Sequence, residues 1–219
     1  MDLLRRIRAQ INRFRAHRVG IVVAIALLLD GSAAAATLAV ARADMARAPA
    51  AGTTANAGPK NILQVQNSTD GRLMVRSRMQ LGRVPAPQVG AVNIAEAVNT
   101  CSQGCDTLTV ALQINMVNSD AAPFTPHNAA VAVNAACTGC HAVALAIQYN
   151  IGSEDPIHVQ PEVDRLVASM KQELAHIGSS ATSLSEAETA IEGVLAQFQD
   201  LAAYLSIQRN ESTTPPAPT

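Results

Sequence analysis

Residues 93–115 lie on residues 128–150 of the same chain at an offset of 35, with no gap. Asn93, Ala95, Ala97, Val98, Asn99, Gly104, Cys105, Ala111, Gln113 and Asn115 recur as Asn128, Ala130, Ala132, Val133, Asn134, Gly139, Cys140, Ala146, Gln148 and Asn150, ten identities in 23 positions. A fainter copy lies upstream. Asn61-Ile62 matches Asn93-Ile94, Asn67 matches Asn99, and Gly71 precedes Gln80 by the interval that separates Gly104 from Gln113. Repetition constrains the fold because a single pair of strands is only marginally stable, whereas three copies can share one apolar face.

Each copy alternates with a period of two. Leu108, Val110, Leu112, Ile114 and Met116 interleave with Thr107, Thr109, Ala111, Gln113 and Asn115, and Val143, Leu145, Ile147, Tyr149 and Ile151 continue the pattern in the last copy. Such alternation predicts half-buried strands. The centre of each copy reads as a turn: Asn67-Ser68-Thr69-Asp70-Gly71 in the first, and cysteine-flanked Thr138-Gly139 in the third. Asp-Gly is a strong hairpin signal because both residues tolerate positive φ. The expectation is three tandem β-hairpins, about six strands, over residues 61–152. The recurring Asn and Gln either line up between copies as amide ladders or satisfy turns and exposed edges; ordinary turn chemistry favours the second.

The four cysteines form two close pairs, Cys101/Cys105 and Cys137/Cys140, each at a turn. In an exported chain such pairs read first as disulfides. A two-residue loop places Cys137 and Cys140 opposite one another with Cβ atoms roughly 4.5–5.5 Å apart, slightly wide of the roughly 3.5–4.5 Å a disulfide prefers. Pairing between copies, for example Cys105 with Cys140, is compatible with adjacent hairpins. Two other chemistries compete. Cys137-x-x-Cys140-His141 has the spacing for haem c attachment, with two thioethers and His141 as axial ligand. Against it, the preceding copy has Asp106 where His141 stands, and haem needs a sizeable apolar pocket. The spacings C-x3-C and C-x2-C, 31 residues apart, also suit a zinc site with four cysteine ligands, with which extracytoplasmic oxidation competes.

Six Arg within the first 18 residues precede the apolar run Val19–Leu29. A run of about 11 residues suits a signal peptide, whereas reading on through Asp30 to Ala41 gives about 23, enough for an uncleaved membrane anchor. One mid-membrane Asp costs roughly 2.5–3.5 kcal/mol, which the Leu, Ile and Val can offset. Residues 1–43 are thus a signal peptide or anchor helix, with the Arg block cytoplasmic and the remainder extracytoplasmic, secreted or held at the cytoplasmic membrane. Residues 44–60, rich in Ala, Gly, Thr and Pro, are a flexible linker.

Past Pro156 the period becomes helical. Pro161 opens a stripe of Val163, Leu166, Val167, Met170, Leu174 and Ile177 that Gly178 ends. Ser183-Leu184-Ser185-Glu186 is a capping box before Ile191, Val194, Leu195, Phe198, Leu201, Ala202 and Leu205. A short connection makes residues 153–208 an antiparallel helical pair, and residues 209–219 a disordered tail. The fold class is therefore α+β.

Asn-x-Ala-x-Ala-Val-Asn, Cys-Thr-x-Cys and Val-Ala-x-Ala-x-Gln, carried here by Asn128, Ala130, Ala132–Asn134, Cys137, Thr138, Cys140, Val143–Ala144, Ala146 and Gln148, resemble repeats of an uncharacterised family of bacterial exported proteins. Similar repeats there stand beside peptide zinc metalloprotease segments. The resemblance spans roughly residues 61–151. It implies a Cys-x-x-Cys turn that usually lacks a following His, and no proteolysis, because the zinc peptidase motif is not in this chain.

Function classes narrow accordingly. The sequence has no His-Glu-x-x-His, Gly-x-Ser-x-Gly or phosphate-binding loop, and no histidine spaced with carboxylates as a catalytic site. Composition is 48% hydrophobic but 2% aromatic, and beyond residue 43 the chain is net acidic, which argues against a nucleic-acid partner. The reading is a non-enzymatic structural or protein-interaction module of the cell envelope, self-associating or binding an envelope protein, with no cofactor. Haem c electron transfer and a domain stabilised by zinc on the four cysteines are the alternatives.

Overall fold

A computed structural model describes residues 20–29, 58–85, 90–118, 124–157 and 159–212; for residues 20–29 and 209–212 only the backbone is described. Among these residues seven strands precede two helices: β1 Gly20–Leu29, β2 Lys60–Asn67, β3 Leu73–Val84, β4 Gly90–Asn99, β5 Asp106–Asn118, β6 Thr125–Asn134, β7 His141–Ser153, α1 Pro161–Ser180 and α2 Leu184–Ser212. The six repeat strands and the helical pair agree with the α+β expectation.

Their pairing does not agree with hairpins. The two strands of each copy lie in different sheets, one ordered β2-β4-β6 and the other β1-β7-β5-β3. Every repeat strand pairs in parallel with its equivalent in the next copy, Asn61 with Asn93 with Asn128 and Gln80 with Gln113 with Gln148. Each copy is thus an arch bridging two sheets, and the three arches stack as rungs of a short parallel solenoid. The cause lies in the turns and the inward side chains. Six residues, not two, separate β6 from β7, enough to cross from sheet to sheet. Inward positions then meet the same residue type in the next rung, which parallel in-register stacking rewards.

The space between the sheets is filled by methyl groups and amides. Ala95, Ala97, Ala111, Ala132, Ala142, Ala144 and Ala146 make one buried cluster, so the sheets can approach more closely than the roughly 10 Å usual for packed sheets. Around them run amide ladders. Asn61 Nδ2 donates to Asn93 Oδ1 at 2.8 Å and Asn93 Nδ2 to Asn128 Oδ1 at 2.7 Å. Gln148 Nε2 donates to Gln113 Oε1 at 2.6 Å, and Gln113 Nε2 to Gln80 Oε1 at 2.9 Å. Asn115 Nδ2 reaches Asn150 Oδ1 at 2.8 Å. The repeated amides are therefore interior ladders rather than turn and edge residues, because the second sheet buries the strand face that a hairpin would leave wet.

The opposite face of β3, β5 and β7 carries the large apolar residues, and both helices cover it. Leu108, Val110, Leu112, Ile114, Leu145, Ile147 and Tyr149 join Val163, Val167, Met170, Leu174, Ile191, Val194 and Phe198 in one core. Consequently β5 is buried on both faces, not one. Helix α1 lies over β3, and α2 over β5 and β7. Tyr204 near the end of α2 donates to Gln160 just before α1 at 2.9 Å, so the helices run antiparallel. Leu166, expected in the α1 stripe, is 51% exposed.

Helix α1 continues past Gly178 to Ser180. Gly178 instead marks a close approach: a Cβ there would sit 3.3 Å from the Val75 carbonyl oxygen. The capping box forms as read. Glu186 N–H donates to Ser183 Oγ at 3.2 Å, while Glu186 Oε2 accepts from Thr182 N–H at 2.9 Å and Oγ at 2.7 Å, bonds that hold its carboxyl below the usual range. Ser183→Ala should cost about 1 kcal/mol, measured as a lowered urea midpoint at unchanged slope.

Most of the signal or anchor segment 1–43 lies outside the described residues, as do most of the 44–60 linker and residues 213–219 of the tail. Within the first segment, Gly20–Leu29 runs as β1, antiparallel to β7. Among the described residues no helix is long and apolar enough to cross a membrane.

Candidate functional site at the stacked turns

The three turns within the copies stack along one side of the solenoid. An inward asparagine closes each. Asn67 Nδ2 donates to Arg72 O at 2.7 Å, Asn99 Nδ2 to Cys105 O at 3.1 Å and Asn134 Nδ2 to Cys140 O at 3.0 Å. Asn99 also binds Asn134 Oδ1 at 2.7 Å and His141 O at 3.0 Å, tying its turn to the next. Gly71, Gly104 and Gly139 occupy equivalent positions with φ of 67°, 63° and 64°, a region that costs glycine nothing and other residues about 1 kcal/mol or more. Backbone bonds run between the turns: Gly71 N–H to Gln103 O and Gly104 N–H to Thr138 O, both 3.0 Å, and Thr138 N–H to Ser102 O at 3.1 Å. The first turn is one residue shorter than the others, and Asp70 there accepts from Ser102 N–H at 2.7 Å and Gln103 N–H at 3.0 Å. No pattern in the sequence singled out Asp70 for this role.

Stacking converts two separate cysteine pairs into one cluster. Cys101–Cys105 and Cys137–Cys140 are disulfides, with Cα separations of 6.4 and 5.9 Å. Across the rungs, Cys101 Sγ lies 3.1 Å from Cys137 Sγ and 3.4 Å from Cys140 Sγ, and Cys105 Sγ lies 3.8 and 3.6 Å from the same two. Cys101, Cys105 and Cys140 are buried, and Cys137 lies at the edge. Cys105 N–H donates to Cys140 Sγ at 3.2 Å. Ala136, just before Cys137, has φ of 54°, a position where an alanine is strained. The spacing of the pairs was visible in the sequence; the contact between them follows only from parallel stacking.

His141 begins β7 beside its register partner Asp106, with Nδ1 3.0 Å from Asp106 Oδ1. The His141 side chain is about half exposed. The disulfide occupies both sulfurs that thioether attachment of haem requires, and His141 turns to a carboxylate outside the cysteine cluster.

A second feature lies at the first-rung end. Among the described residues, strands β2 and β3 end the order of their sheets. There the Asn ladder stops on Asn61 Oδ1, which is buried and has no hydrogen-bond partner. Arg76 and Arg78 sit in register with Thr109 and Ala111, so arginines take inward positions that smaller residues fill in the next rung. Both remain exposed, as does Lys60.

No protein-family model matches the chain, nor does any curated protein or solved structure.

Proposed function

We propose that this chain is an exported, non-enzymatic interaction module of the cell envelope, which binds a partner by strand addition at the first-rung end. The observation that carries this reading is the Asn ladder ending on a buried acceptor, Asn61 Oδ1, on β2, the last strand of its sheet among the described residues. An extended segment laid along β2 would satisfy that acceptor and the outward backbone groups of the edge. The disulfides support export into an oxidising compartment. The resemblance to exported repeat proteins points the same way.

Charge narrows the partner. Lys60 on β2 and Arg76 and Arg78 on β3 are exposed on the two strands that end the sheets, so two copies meeting first rung to first rung would bring like charges together. A segment bearing acidic or amide side chains fits better than a second copy. Removing the charges should reverse this. Arg76→Ala/Arg78→Ala is expected to self-associate by sedimentation at concentrations where the parent stays monomeric; a monomeric double variant counts against edge protection by these arginines.

The reading is tested with a photo-crosslinking residue in place of Gln66, exposed on β2, in cells expressing the full chain. An envelope protein should be captured from Gln66 and not from Leu166 on α1. Equal capture from both positions, or from neither, rejects strand addition. A covalent haem mass and Soret band on the purified chain would replace this reading with electron transfer.

A further inference from the structure

We propose that the four-cysteine cluster is a redox-gated metal site: oxidised, it holds two disulfides, and reduced, it takes one soft divalent cation such as zinc on four thiolates. All four sulfurs lie within 4.8 Å of one another. A tetrahedral ion bonded at about 2.3 Å to each sulfur separates the sulfurs by about 3.8 Å. The four cross-rung separations, 3.1, 3.4, 3.6 and 3.8 Å, already stand at or just inside that value. Once the disulfide bonds are broken, only the two within-turn pairs need to open, and side-chain rotation on Cα atoms 6.4 and 5.9 Å apart provides for it.

Further observations point to a ligand rather than to a pair of clamps. The turns are already held by Asn99, Asn134 and the inter-turn backbone bonds, and loops this short gain least from cross-linking. Yet the two pairs pack against one another with three of the four cysteines buried, and Cys137, the nearer of the next rung's two sulfurs to Cys101, follows Ala136 in its left-handed conformation. Cys105 N–H, aimed at Cys140 Sγ, is a donor that stabilises a thiolate more than a disulfide sulfur. Cys137 lies at the edge of the otherwise buried cluster and gives an ion its way in.

The chemistry balances with a dithiol reductant. Two dithiols each deliver two electrons and two protons, break one disulfide apiece and leave as their own disulfides, giving four thiols. Binding of the divalent ion expels four protons and leaves a dianionic tetrathiolate, so affinity rises with pH. An oxidised dithiol or protein disulfide runs the sequence backwards and releases the ion.

Cobalt(II) is the probe. The full chain, reduced with dithiothreitol and desalted without oxygen, should bind one cobalt per chain with the strong visible absorption of a tetrahedral tetrathiolate, and zinc should displace it. The oxidised chain should bind none. Cys105→Ser should weaken cobalt binding by roughly 100-fold, since even outer partners of a metal site are worth about 10–100-fold. His141→Ala should bind as the parent does. The proposal is overturned if the reduced chain keeps its sheet circular dichroism and gives no such spectrum, or if His141→Ala loses it. If reduction melts the sheet, restoration by cobalt supports the site and failure to restore it overturns the site.

Discussion

Asn93→Ala is expected to destabilise the chain by on the order of 3–5 kcal/mol, the cost of a small cavity plus several buried polar groups left without partners. Asn93 sits in the middle rung, fully buried. Its Nδ2 faces Asn128 Oδ1 at 2.7 Å, Ala111 O at 3.0 Å and Ile147 O at 3.2 Å, and its Oδ1 accepts from Asn61. One side chain therefore joins all three rungs of one sheet and ties them to β5 and β7 of the other. Alanine removes every one of those bonds without adding a group that water could reach. Gln66→Ala, at an exposed position on the neighbouring strand, should change stability by less than about 0.5 kcal/mol. Urea denaturation of the two variants checks the difference. If Asn93→Ala falls within about 1 kcal/mol of Gln66→Ala, the ladder is not a source of stability.

Phe198→Ala should cost about 3–5 kcal/mol, the usual range for truncating a buried aromatic. Phe198 is fully buried, with its ring centroid 5.4 Å from that of Tyr149. It packs α2 on β7 through that ring contact. The same variant has a spectroscopic signature. Burial raises the Tyr149 phenol to about 12, above its ordinary 10.0. A folded pKa above the unfolded one means that the native state holds its proton longer. That stabilisation is present in full below pH 10 and is lost as pH rises towards 12; two units correspond to about 2.7 kcal/mol at most. Opening the Phe198 site to water should bring the Tyr149 titration down towards 10, read by ultraviolet difference absorption. The chain has two Tyr, so Tyr204→Phe isolates the signal. A titration still near 12 in folded Phe198→Ala would show that Phe198 is not what keeps Tyr149 dry.

The helical part of the fold was legible almost residue by residue because its signals are local. A 3.6-residue stripe names the buried face of one helix without reference to anything else, and Ser183 with Glu186 names its start. Leu166 departed because α1 touches the sheet along a narrow line. Gly178 departed because a glycine that admits a neighbouring backbone has the same letter as one that ends a helix. The strands were legible as strands. Their partners were not, since a hairpin and an arch share the same alternation, and the two differ only in whether Leu108 and its neighbours hydrogen-bond within the copy or to the next one.

The cysteine cluster and the open end carry the same lesson. Positions 35 apart were identical in Gly104/Gly139 and Cys105/Cys140, which placed both pairs at turns. It could not place Cys101 beside Cys137, whose offset of 36 belongs to no repeat. The repeat, the period of two and the helical stripes are properties of neighbouring residues, so the sequence by itself determined that there would be three copies of strand–turn–strand and two amphipathic helices. Parallel stacking is a choice among partners distant in the chain, made by the summed fit of alanines and amides between two sheets. Only the tertiary structure decided that the amides form ladders, that four sulfurs meet, and that one ladder ends on the unpartnered oxygen of Asn61.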